Sequence, residues 1–204
     1  MPILSNFFLL KRFTYLNLIK LQASLENNIL HYVIMLKLEF PNESHKDQYL
    51  EMIEEWGQHE TIPTDPDNLF VGATYEEFLQ ITKDACDNPP EGRVPASLFF
   101  IIDSTQDRIL GALDIRHNIE NDFLREIGGH IGYGIRPSER KKGYATEALR
   151  LGKQEAKNLE IAKILLTCLD ENVWSYRTIE ANGWVFERHT DFNGEKVRRY
   201  WITV

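Results

Sequence analysis

The residues with the most chemical content are Arg140, Lys141 and Lys142, three consecutive cations directly before Gly143. From Tyr144 to Leu159 apolar or small residues recur at Ala145, Ala148, Leu149, Gly152, Ala156 and Leu159, the spacing of a helix with one buried face. Gly143 therefore opens a helix. A helix start leaves main-chain N–H groups without partners and carries the positive end of the helix dipole, so it can hold an anion, a phosphate above all. Gly143 and Ala145 are small enough for such an anion to reach the backbone, and the cations add charge at the same spot. This is neither a Walker loop, which needs Gly-Lys-Ser/Thr, nor a dinucleotide fingerprint with three spaced glycines. The turn taken alone reads equally well as a solvated basic turn before an ordinary helix.

Elements on both sides must position this turn. Residues 36–40 alternate apolar and polar as a half-buried strand does. Asn42, Glu43 and Ser44 precede a helix with Tyr49, Leu50, Ile53 and Trp56 on one face. A loop from Thr61 to Gly72 leads to a second helix, begun by Thr74 with Glu77 three residues on, as in a capping box, and ended by Pro89-Pro90. Strands over 97–102 and 109–115 flank a polar hairpin loop, and 127–135 reads as a further strand carrying glycines at 128, 129, 132 and 134. So many glycines in one strand point to a bulge or to close approach of a ligand. After the helix come a short buried strand over 164–168, a helix over 172–182 closed by Gly183, and strands over 184–190 and 196–204 around Asn193-Gly194. The pattern is that of one mixed α/β domain.

Composition narrows the function. A net charge of −8 argues against general nucleic-acid binding, which rewards a basic face, and favours a cationic substrate such as an amine. Cys86 and Cys168 share no metal-ligand spacing and read as free thiols of a reducing, cytoplasmic setting; no metal site is expected. Residues 1–34 differ from the remainder, carrying Lys11, Arg12 and Lys20 against Glu26, a charge of +2 that leaves −10 for 35–204. Their apolar residues are interrupted by cations, so they form neither a membrane span nor a secretory signal. They read as an extension before a domain of 35–204: a mis-annotated start with Met35 as initiator, an extra docked helix, or an amphipathic interfacial helix.

Three motifs in order resemble the GNAT superfamily of acyl-CoA-dependent N-acyltransferases. Its pyrophosphate loop, Arg/Gln-x-x-Gly-x-Gly/Ala, is matched by Arg140 through Ala145, with Gly143 between. Its Tyr-x-Ile-x-Pro strand end is matched by Tyr133, Ile135 and Pro137, and its Asn-x-x-Ser helix ending in Gly-Phe by Asn172, Ser175 and Gly183-Trp184. The resemblance spans about residues 35–204. It implies an α/β (α+β) GNAT fold, with a central mixed, mostly antiparallel sheet of about seven strands flanked by helices, and transfer of acetyl from acetyl-CoA to a primary amine of a small molecule or peptide.

The roles the resemblance implies are specific. Tyr133 and Ile135 pair through their backbone with the pantetheine arm. Arg136, Arg140, Lys141, Lys142, Gly143, Tyr144, Ala145 and Thr146 surround the pyrophosphate, and Asn172 positions the cofactor amide or a water. Many members use a glutamate of the glycine-rich strand as base, but the ungapped match puts Gly129 there. The substitutes are His130, Glu126, Asp114 and His117. Among these His130 has the ordinary pKa that suits the task, but a side chain turned to the other face of the sheet would make it a satisfied structural histidine, the reading that stands ahead of the base. Ile179 stands where many members carry a tyrosine proton donor, leaving Ser175 for that role and Tyr176 as rival. Without the usual glutamate and tyrosine, a CoA-holding sensor or scaffold is the alternative function. A homodimer through the C-terminal strands is compatible with the sequence.

Overall fold

The computed structural model describes residues 35–57 and 72–204. The chain divides into two units, Met1–Ile34 and Met35–Val204, and the described elements belong to the second. The readings of residues 1–34, and of the Thr61–Gly72 loop up to residue 71, lie outside the described residues.

The elements run β1 (Leu36–Glu39), α1 (Lys46–Trp56), α2 (Tyr75–Asp87), β2 (Ala96–Asp103), β3 (Arg108–Arg116), β4 (Ile131–Ile135), α3 (Tyr144–Asn158), β5 (Lys163–Leu169), α4 (Val173–Ala181), β6 (Val185–Phe192) and β7 (Glu195–Thr203). Two antiparallel ladders hold the seven strands: β1-β2-β3-β4, and β5-β7-β6. Helices cover both faces of the first ladder. Leu113 and Ile115 share a core with Ala148 and Leu149 of α3 and Ile179 of α4. On the opposite face Ala112, Leu98 and Phe100 pack with Tyr49, Met52 and Trp56 of α1 and Tyr75 and Phe78 of α2. From Ala112 to Ile115 alternation along β3 assigns successive side chains to the two layers, while a bulge opposite Ile101 and Ile102 resets the period at Leu110, which joins the Leu113 core.

Local signals act as their chemistry predicts. Thr74 and Glu77 form a reciprocal capping box, with Glu77 N donating to Thr74 Oγ1 at 3.2 Å and Thr74 N to Glu77 Oε2 at 2.8 Å. Asn193 and Gly194 both take positive φ, 55° and 86°, as a two-residue hairpin requires. Two expectations fail. Leu50 is exposed, and the buried face of α1 is Tyr49, Met52 and Trp56, the i, i+3, i+7 stripe. The strand expected over 127–135 begins only at Ile131, because residues 124–128 form a π-helical turn ended by Gly129.

Candidate active site

The site is built on the edge where β4 leaves the second ladder. At its start β4 is tied to β5: His130 N donates to Leu165 O at 2.8 Å, and Leu165 N donates to His130 Nδ1 at 2.9 Å. Beyond this junction β4 and β5 belong to different ladders, so a gap opens between them toward the start of α3. Arg116 N donates to His130 O and Arg136 N to Leu110 O, both toward β3. The two-residue period turns the backbone groups of Ile131, Tyr133 and Ile135 the other way, into the gap. An edge of this kind accepts an added extended chain.

Gly129 stands directly before the junction at which β4 parts from β5. Its φ is +63°, and a Cβ there would stand 2.8 Å from Leu165 O. The position therefore leaves no room for a glutamate side chain without a shift of the backbone.

At the far end of β4 the chain turns through Pro137–Glu139 into α3. Gly143 is the N-cap of α3, at φ 87° and with no side-chain cap, so the dipole end of a 15-residue helix is left for an external anion. Lys141, itself at φ 65°, places Nζ 5.4 Å from the centre of the Trp174 ring. Lys142 Nζ reaches Glu139 at 2.8 Å, and Arg140 Nε donates to Ile135 O at 3.0 Å while its guanidinium lies over Trp56. Arg140, Lys141, Lys142 and Thr146 are exposed around this end, with Tyr144 and Ala145 half-buried. Thr146 N is already bonded to Gly143 O at 3.1 Å, so its amide is the least available of the set.

Across the gap, Tyr133 Oη and Ser175 Oγ of α4 lie 3.2 Å apart, linking β4 to α4. Burial pushes the Tyr133 hydroxyl up to about 12 and the neighbouring Cys168 thiol up to about 11, so both keep their protons at neutral pH. Asn172 caps α4, its Oδ1 accepting from Ser175 N at 3.0 Å, which leaves its NH2 for other partners. The Tyr133 side chain was missed by sequence reasoning, which used only its backbone; nothing in the spacing announces a contact across 42 positions.

Two assignments need correction. Arg136 does not face the turn. It is 1% exposed, with Nε 2.5 Å from Glu55 Oε2, Nη2 2.8 Å from Glu51 Oε1 and Nη1 donating to Ile109 O at 3.3 Å. Glu55 also accepts from Ser138 N at 2.7 Å, so this cluster clamps α1 to the turn rather than holding a phosphate. His130 is likewise committed. Its Nδ1 accepts the Leu165 amide and burial lowers its pKa to about 4, which makes it a poor proton acceptor at neutral pH.

The other acid–base candidates differ sharply. His117 is held by Ser97 Oγ at 2.8 Å and lowered by burial. Glu126 is lowered chiefly by its bond to Arg188 at 2.5 Å, which weakens it as a base. Asp114 is pushed up to about 6 by burial, against the opposing pull of Arg116 at 3.4 Å.

The sequence model of the family described as acetyltransferase (GNAT) domain matches residues 36–185. The chain belongs to the GNAT acetyltransferase family. It is thus an acyltransferase enzyme. No curated protein matches. Among solved structures, RimL, a ribosomal L7/L12 α-N-protein acetyltransferase in complex with coenzyme A, is similar at 19% identity and TM-score 0.58, covering 83% of this chain and 94% of that one. A dodecameric spermidine N-acetyltransferase from Vibrio cholerae is similar at 20% identity and TM-score 0.56, covering 82% and 93%. These likenesses concern the fold. Among the described residues no helix is long and apolar enough to cross a membrane, and no group of His, Cys, Asp or Glu forms a metal site.

Proposed function

We propose that this GNAT enzyme transfers acetyl from acetyl-CoA to a primary amine of a small molecule or peptide, by direct attack within a ternary complex. The observation that carries the reading is the open edge of β4, running from the His130–Leu165 junction to the uncapped start of α3. The pantetheine arm adds to this edge through the backbone of Tyr133 and Ile135, and the pyrophosphate lies against the first turn of α3, with Lys141 and Lys142 beside it. Main-chain N–H groups facing the gap polarise the thioester carbonyl, and such pre-aimed donors stabilise the tetrahedral oxyanion.

The amine nitrogen bonds to the carbonyl carbon and loses a proton, the C–S bond then breaks, and the departing thiolate takes a proton passed through the Ser175 hydroxyl, which regains one from water in the same step. Tyr133, 3.2 Å from Ser175 and holding its own proton, orients that hydroxyl. Asn172 fixes the turn that carries Ser175 and offers its NH2 to the cofactor. RimL and the spermidine enzyme are named for a protein N-terminus and a polyamine, and both acceptor types are amines. The free thiols fit a reducing cytoplasm. Two copies would associate along β6, the edge of its ladder, where Val185 and Phe186 are exposed. Residues 1–34 precede the stretch that the family model matches, 36–185, and are read as an extension of the domain.

The test is free-thiol release from acetyl-CoA across a panel of polyamines, small amines and peptide N-termini, with acetylated product identified by mass. Turnover on one class is expected. Tight CoA binding with no turnover on any amine would instead identify a CoA-holding protein.

A further inference from the structure

A carboxylate on β3 is left unused by this account. Asp114 pairs across the ladder with Gly132 of β4, directly beside Tyr133 on the open edge. Leu113 and Ile115 point into the α3/α4 core, so alternation sends Asp114 to the other face, with Ala112. Tyr133 packs against the α3/α4 core, and Ser175 meets it there. Asp114 and the Tyr133–Ser175 pair therefore flank β4 from opposite faces.

That arrangement matches what the reaction demands. A thioester held in the gap has two accessible faces, and the amine that attacks one needs a proton acceptor on its own side. Gly132 opposite Asp114 has no side chain to cover the strand there. Among the described residues Arg116, on β3 itself, is the charged group acting on Asp114; its cross-strand neighbours, Leu98 and Gly132, are uncharged.

We propose that Asp114 is the catalytic base, taking the proton of the acceptor nitrogen, directly or through one water, on the face of β4 opposite Ser175. The proposal rests on the acetyltransferase reading above. As the C–N bond forms, the nitrogen becomes acidic and its proton passes to the Asp114 carboxylate; when the C–S bond breaks, the thiolate sulfur takes a proton passed through the Ser175 hydroxyl, and Asp114 resets by exchange with water. Arg116, bonded to Gly128 O at 3.3 Å as well as paired with Asp114, keeps the carboxylate from staying protonated at neutral pH.

The test compares Asp114→Asn with the wild type on an amine acceptor found by thiol release. A loss in kcat/KM of about 10²-fold is expected, with the affinity for CoA unchanged. The wild-type log kcat/KM should fall on the acid side with a midpoint near 6, a limb the variant lacks. If Asp114→Asn fails to fold, the wild-type profile decides alone: no limb between pH 5 and 7 overturns the proposal. A variant within threefold of wild type also overturns it and leaves the acetyltransferase reading intact, whereas a wild type inactive on every amine defeats both.

Discussion

Replacing Arg136 by alanine separates a clamp from a phosphate ligand. The side chain is almost fully buried and its guanidinium bonds to Glu55, Glu51 and Ile109 O. Removing one partner of a buried charged cluster costs about 3–5 kcal/mol, chiefly because the others are left unpaired. Glu51 and Glu55 are partly solvated, at 58% and 23% side-chain exposure, which favours the lower end of that range. For a domain of this size each kcal/mol shifts Tm by roughly 2–4 °C. Differential scanning fluorimetry should therefore show Tm lowered by about 10 °C for Arg136→Ala. At a temperature where the variant stays folded, its Kd for CoA should remain within about threefold of wild type, because Glu55 still accepts the Ser138 amide that shapes the turn. The Lys141→Glu/Lys142→Glu pair should behave inversely, with little change in Tm and weakened CoA binding. An Arg136→Ala protein with unchanged Tm and CoA affinity lost tenfold would put Arg136 on the pyrophosphate and refute the clamp.

Further predictions follow from the same geometry. Ser175→Ala should lower kcat about tenfold to hundredfold, the small end of acid–base effects, because a thiolate with pKa near 8.5 leaves readily; unchanged single-turnover rates would remove Ser175 from the mechanism. Gly129→Ala should destabilise by at least 1–2 kcal/mol in urea unfolding, since the left-handed φ and the 2.8 Å approach to Leu165 O both oppose a Cβ. His130 is neutral in the fold with a pKa near 4, below its unfolded value of about 6.5, so its contribution is present above pH 6.5 and lost as pH falls toward 4. The stability gap between wild type and His130→Gln should accordingly narrow over that window, by up to about 3 kcal/mol; a constant gap would deny the burial of a neutral imidazole. Cys168, with its thiol raised to about 11, should react with iodoacetamide at pH 7.5 far more slowly than free cysteine.

What was legible in the sequence is what short-range chemistry dictates. The Thr74–Glu77 cap, the Asn193-Gly194 turn and the start of α3 at Gly143 are fixed by residues within a few positions of one another. The strand expected at 127 was lost to a π-turn because Leu124, Ile127 and Ile131 satisfy an apolar pattern in either conformation; only the positive φ at Gly129 separates them. Arg136 carries no local sign of burial, since its partners Glu51 and Glu55 lie 81 or more positions earlier in the chain. A separation of 42 positions likewise hid the Tyr133–Ser175 contact. Histidine beside a glycine-rich bulge looked like a base, and its commitment to Leu165 is a tertiary fact.

Titration calorimetry with coenzyme A addresses the central claim most directly. One site per chain is expected, with Kd raised at least tenfold, about 1.4 kcal/mol, in the Lys141→Glu/Lys142→Glu protein, and with the gap narrowing as salt screens the charges. No binding heat, or equal affinity in that variant at low salt, would contradict a pyrophosphate seated at the start of α3.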